Sequence, residues 1–341
     1  NRVTISDVSA ALGLTKGTVS RALNGYADIS ESTRKRVSAT AQRMGYRPLS
    51  SAQSIKTGRA RTLGLVIQLS EHDAHRPFLA EFLGGISETA SAEDWTLSVA
   101  TSNSDSDTLK KMDDLIASRK ADGFILPRTK TFDERMKHLQ KAGVPYVLFG
   151  RTGSAEDSAW FDISGENAMR DAVLHLAQLG HTRFAFVNGA RVYNYSRLRE
   201  EGFRAGMAQA GLRTDEELFA YDCVTEEDGA AAALRMLSHP NPPTAFVFAV
   251  DRAALGLYRT AAQLGLRVGD DVSVIAYDGT TAGANAEPPL STFAVDIRGA
   301  GQQLAKMLIA RINGTPPTAL REVVDAQFLD RGSAGPPKTA P

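Results

Sequence analysis

From Thr62 onward the chain alternates short apolar runs with amphipathic stretches, and no other feature limits its fold so tightly. The runs fall at 62–69, 95–101, 122–126 and 145–149, and again at 183–188, 217–221, 244–250 and 271–277. Between them, stretches such as 79–92, 107–119, 165–179, 198–210, 228–237 and 252–264 repeat apolar residues at helical spacing. Strands that alternate with helices predict parallel sheets joined by right-handed crossovers. Runs that are apolar throughout predict burial on both faces. Two series predict two similar lobes, the second starting near Asp162. Open α/β sheets bind ligands beyond the carboxyl ends of their strands, so two facing lobes would frame a cleft.

The first 61 residues break this pattern and carry a different charge. They hold eleven Lys/Arg and three Asp/Glu, a net +8, whereas the other 280 residues hold 28 bases and 36 acids. A basic end on an acidic body predicts an anionic partner at that end only. Thr4 and Asp7 form a Thr-x-x-Asp helix start. Ile5, Val8, Ala11 and Leu12 follow at helical spacing, and Gly13 suits a helix stop. Thr15 would cap a second helix, Lys16 to Leu23. Asn24-Gly25 marks a turn, and Ser30 would cap a third helix ending before Gly45.

Helix, tight turn, short helix, loop and third helix make the helix-turn-helix layout. In it Lys16, Gly17, Thr18 and, one turn on, Arg21 would face base edges in the major groove of double-stranded DNA. An Arg bidentate to guanine supplies discrimination of about 1–3 kcal/mol. Gly17 would let the backbone approach closely. Thr4, Ser20, Ser30 and Thr33 are expected to contact phosphates at helix starts. A three-helix bundle without ligand would explain the apolar spacing but leave the charge unexplained.

The run VTISDVSAALGLTKGTVSRALNGYADISESTRKRVSATAQRMGYRP resembles the headpiece of the lactose-repressor/galactose-repressor (LacI/GalR) family of bacterial transcriptional regulators. The resemblance implies domains at 1–48 (helix-turn-helix) and 49–61 (hinge helix and linker). It also implies an effector core like a type I periplasmic sugar-binding protein. That core would comprise an N-lobe, 62–161 plus 291–320, and a C-lobe, 162–290 plus 321–330. Its markers are GHTRFAFVNG (180–189), Arg199-x-x-Gly202-Phe203, Asp251 followed by AALG, and DVSVIAYDG (271–279). In the hinge, Ala52 matches a small residue and Ile55 stands where a wedging leucine enters the minor groove. A plain tether is the alternative for that segment. Residues 331–341, GSAGPPKTAP after Arg331, are expected to be disordered. Without a heptad tail a homodimer is favoured.

The resemblance assigns effector binding to Arg199 and Asp278, a donor and an acceptor able to bracket vicinal hydroxyls of a sugar or sugar derivative. Phe78 could offer a ring face. Arg128, Arg151, Phe161 and Asp251 fall at or near strand ends and join the list, with a cap or an ion pair between lobes as the alternative for the charged ones. Val250 replaces an Asn common in the family, which implies a less polar part of the effector there. The function implied is a dimeric repressor of a pseudo-palindromic operator, released by the effector.

Other classes fit less well. The N-terminus lacks an apolar signal-peptide core, no run approaches the ~18 apolar residues of a membrane span, and the single cysteine, Cys223, fits a reducing compartment. A cytoplasmic chain is therefore expected, against an extracytoplasmic solute-binding protein. No G-x-S-x-G elbow, Walker loop or His-Glu-x-x-His motif suggests an enzyme. His72-Asp73-Ala74-His75 could ligate Zn²⁺, yet no further ligand cluster accompanies it. A polar loop at the cleft edge is the expectation, with no metal and no cofactor.

Overall fold

The computed structural model describes residues 3–46, 59–69, 76–153 and 157–338. Two compact units divide the chain, Asn1–Arg61 and Thr62–Pro341.

In the first unit, Thr4 starts α1 (Ile5–Leu12) through a reciprocal cap: its backbone N–H donates to Asp7 Oδ2 at 2.7 Å, and its hydroxyl oxygen accepts from Asp7 N at 3.4 Å. Gly13 stops the helix at φ 62°, a left-handed conformation that favours glycine. Thr15 caps α2 (Lys16–Leu23), accepting from Thr18 N at 3.1 Å. Ser30 caps α3 (Glu31–Arg43). Val8, Val19, Ala22, Val37 and Ala41 make the small core shared by the three helices. Ala11, expected on the inner face of α1, is exposed.

The second unit holds two six-stranded sheets. The first contains β1 (Thr62–Gln68), β2 (Thr96–Ser102), β3 (Gly123–Leu126), β4 (Tyr146–Phe149) and β5 (Ala159–Ser164). The second contains β6 (Phe184–Val187), β7 (Phe219–Ala220), β8 (Ala245–Phe248), β9 (Ser273–Asp278) and β10 (Ser291–Ala294). β11 (Arg321–Asp325) pairs parallel with β5 and completes the first sheet. β12 (Gln327–Leu329) pairs antiparallel with β10 and completes the second. The other pairings are parallel, and the strand orders are β11-β5-β4-β3-β1-β2 and β12-β10-β9-β8-β6-β7. Every residue of β3, β6 and β8 is buried, as their unbroken apolar runs require.

Strand pairing moves the lobe boundaries away from those the resemblance implies. β5 extends past 161, and its Asp162, Ile163 and Ser164 pair with Val323, Val324 and Asp325. Hence 162–164 and 321–325 belong to the first sheet. β10 pairs with β9 (Ser291 with Ile275, Phe293 with Tyr277), so 291–294 belongs to the second. The helix Ile297–Ile312 does return to the first lobe, where Leu304 and Leu308 join its core.

The tail also differs from expectation. Ser333 is fully buried; its hydroxyl donates to Val274 O at 2.7 Å and accepts from Ser291 N at 2.8 Å. Gly335 O sits 2.8 Å from both His181 Nε2 and Ser273 Oγ. Residues 331–338 are therefore docked on the second lobe rather than disordered, because they satisfy polar groups at the amino ends of β9 and β10 that would otherwise be buried unpaired. Among the described residues, no helix is long and apolar enough to cross a membrane.

Candidate nucleic-acid interface and ligand cleft

The first turn of α2 presents Lys16 and Gly17 to solvent, with Thr18 half-buried beside them. Thr18 Oγ1 lies 2.9 Å from Thr15 Oγ1, so the cap fixes its rotamer. Arg21 is exposed one turn on, ion-paired with Asp28 and 5.6 Å from the Tyr26 ring centroid. The four residues share the open side of α2 while Val19 and Ala22 face the core. Of the hydroxyls expected at phosphates, Thr4 and Ser30 are N-caps and Thr33 lies in the first turn of α3. Ser20 does not lie at a helix start; it is in the second half of α2, with Asn24 donating to its carbonyl at 2.8 Å. Ala52 and Ile55 lie outside the described residues, as does His72-Asp73-Ala74-His75.

A cavity of about 880 Å³ opens between the two sheets at the carboxyl ends of β1, β3, β4, β9 and β10. Its buried part is built around Arg199, on the helix Asn194–Gln209. The guanidinium is stacked against two aromatic rings, with Cζ 4.5 Å from the Tyr195 centroid and 3.9 Å from that of Tyr277. Its Nη1 donates to Ala249 O at 2.6 Å, and its buried Nε has no partner. Gly202, one turn later, permits this placement. A Cβ there would stand 2.0 Å from Glu166 O, so only glycine lets the helix approach its neighbour Gly165–Gln178 so closely. Phe203 then anchors the helix in the core, fully buried.

Asp278 ends β9 with φ 137°, an unfavourable backbone for a side chain other than glycine's, and its carboxyl lines the same cavity. Burial, then the nearby Asp251 carboxylate, push its pKa up to about 8, against the pull of Arg199.

Phe78, Arg128 and Arg151 also line the cavity. Arg151 is engaged in ion pairs, 2.6 Å from Asp162 and 2.6 Å from Glu166. Asp251 and Phe161 are not on the wall. Asp251 is fully buried, with one carboxylate oxygen accepting from Gly279 N (3.0 Å), Thr280 N (2.8 Å) and Thr280 Oγ1 (3.1 Å), and the other from Thr292 Oγ1 (2.7 Å). It ties three segments together and has no acceptor directed at a ligand. Phe161 packs in the first-lobe core beside Phe149. Val250 is likewise a core residue rather than a face for an effector.

The two lobes are pinned beside the cavity. Asn194 N donates to Thr129 O at 3.0 Å and Asn194 Nδ2 to Arg151 O at 2.7 Å, next to a strand-like bridge between Lys130 and Tyr193.

The family model for bacterial regulatory proteins of the lacI family matches residues 4–49, and that for a periplasmic binding protein-like domain matches 173–334. The transcriptional regulator AglR of Rhizobium meliloti (strain 1021) is 34% identical, over 98% of this chain and 95% of its own length. The chain belongs to the LacI family. The structure of the LacI-family regulator CelR in complex with cellobiose shares 30% identity, covers 98% of this chain and all of its own, and has a TM-score of 0.75. The lac repressor dimer bound to operator and the anti-inducer ONPF shares the fold at 23% identity and a TM-score of 0.83, over 98% of this chain and all of that one. This LacI-family chain is thus a DNA-binding transcriptional regulator rather than an enzyme.

Several wall residues escaped the sequence reading. Tyr195 precedes Arg199 by four positions, the helical spacing at which side chains meet, so that contact was open to inference. Tyr277 adjoins Asp278 in the motif but joins Arg199 only through the fold. Phe132, Val192 and Tyr193 sit in loops with no periodicity to mark them.

Proposed function

We propose that the chain is a cytoplasmic repressor that binds a pseudo-palindromic operator as a homodimer and releases it when a sugar or sugar derivative fills the cleft. One observation carries the reading. Arg199, with an unpartnered buried Nε, and Asp278 line one cavity bounded by both lobes. A vicinal diol needs just such a donor and acceptor. The CelR relative solved with cellobiose supports the ligand class. Two α2 helices related by a two-fold axis would read two half-sites, Lys16 and Arg21 contacting bases. Ala52 and Ile55 would follow into the minor groove, and ligand-driven loss of that hinge would weaken binding.

The test is operator affinity with and without saccharides at one salt concentration. A coupling of about 1–3 kcal/mol would weaken binding roughly 5- to 150-fold. Equal affinities across mono- and disaccharides and their phosphates would remove sugar induction.

A further inference from the structure

Phe132 is 81% exposed, more than any other large apolar side chain among the described residues, and Val192 is 53% exposed. They are not scattered. Both line the cleft cavity, Phe132 on the loop after β3 and Val192 on the loop after β6, so each lobe supplies one. The two loops are joined, with Thr131 N donating to Val192 O at 3.4 Å beside the Lys130–Tyr193 bridge. The cavity thus has a buried polar part, with Arg199 and Asp278, and an open apolar lip.

Size and charge restrict what spans the two. Ligand cavities run from about 300 to about 1,000 Å³, so 880 Å³ is far more than a single pyranose fills. Three of the cations facing the space are held in ion pairs. Arg151 is held by Asp162 and Glu166, Lys130 by Asp105 at 2.6 Å, and Arg135 by Asp133 at 2.7 Å. Arg199 is stacked between two rings. A phosphate group would have to strip Arg151, Lys130 or Arg135 from its carboxylate, or meet Arg199 beside the Asp278 carboxyl. An uncharged polyol meets no such penalty, and the C–H face of a pyranose matches an exposed phenyl ring.

We infer that the effector is an uncharged saccharide of at least two pyranose units, with its first ring at Arg199 and Asp278 and a further ring packed on the Phe132–Val192 lip. The inference rests on the sugar reading above and adds chain length, charge and a specificity-determining residue.

Titration calorimetry on the full chain tests it with glucose, galactose, glucose 6-phosphate, maltose, cellobiose, trehalose, melibiose and maltotriose. The expected result is that one disaccharide or the trisaccharide binds at least about tenfold tighter than its component monosaccharide, and glucose 6-phosphate no tighter than glucose. Phe132→Ala should shrink that preference by about two- to tenfold, the range of an aromatic packing contact, and Phe132→Trp should keep it. Phe132 is exposed, so neither change threatens folding. If a monosaccharide or glucose 6-phosphate binds as tightly as any longer sugar, or the preference survives Phe132→Ala, the inference falls. Provided Arg199→Ala still abolishes binding in that case, the sugar reading stands. If no saccharide in the panel binds, both fall together.

Discussion

Asp278 is where burial, backbone and charge pull hardest on one residue. Its pKa is 3.8 in the unfolded chain and about 8 in the fold, so between those values the folded state holds the extra proton. Stability must therefore fall as pH rises from about 4 to about 8, and the loss is complete above the folded value. Asp278→Asn removes the titrating proton. Thermal melting against pH should show the native protein losing stability across this window relative to the variant; parallel curves would refute the assignment. Arg199 makes a different demand. Its planar guanidinium stacks on Tyr195 and Tyr277, which an ammonium cannot imitate. Arg199→Lys should therefore abolish the sugar response nearly as fully as Arg199→Ala. Fluorescence anisotropy on operator DNA should show both variants binding without sugar as the native protein does. Arg199 and Asp278 were legible in the chain because they sit in motifs. Asp251 and Phe161 misled because nothing local separates a carboxylate at a cavity wall from one sealed by Thr292, 41 residues away.

At the level of elements, the crossing of Gly165–Gln178 with Asn194–Gln209 has no slack at Gly202. Gly202→Ala forces a methyl against Glu166 O and should destabilise by about 1–3 kcal/mol. At about 2–4 °C per kcal/mol for a domain of this size, the shift is readable by calorimetry, and saccharide affinity should fall because Arg199 rides on the displaced helix. An unchanged melting temperature would mean the helices separate freely. The docked tail gives a second case. Truncation after Asp330 should lower the melting temperature, whereas truncation after Lys338 should not, since Ser333 and Gly335 make the bonds. The alternating apolar runs made most of the strands legible. β5 (AWFDIS) and β10 (STFA) were not, because each mixes polar residues into a largely buried stretch. The tail's composition suggested disorder because its burial depends on Val274 and Ser291, not on its neighbours in sequence.

Across the whole molecule, charge is the property most unevenly shared, with +8 in the first 61 residues. Operator affinity should drop steeply with salt, with a log–log slope of about −0.9 for each phosphate neutralised. Lys16→Ala separates two roles. If Lys16 reads a base, sequence preference relaxes and the slope holds; if it contacts only phosphate, the slope shrinks by about one and preference stays. The signal that reaches this headpiece must arise in the core, where one structural detail limits its form. β11 belongs to one sheet and β12 to the other, and only Ala326 lies between them. A single residue spans at most about 3.6 Å, so the lobes cannot separate along that line without tearing a strand from its sheet. They can turn about it. Where the bonds that join Thr129, Thr131 and Arg151 to Val192 and Asn194 open, the core would turn as two plates on a common axle, and occupancy of the cleft would be read out as an angle. Two labels placed across the cleft should trace an arc, widest far from Ala326 and nearly still beside it.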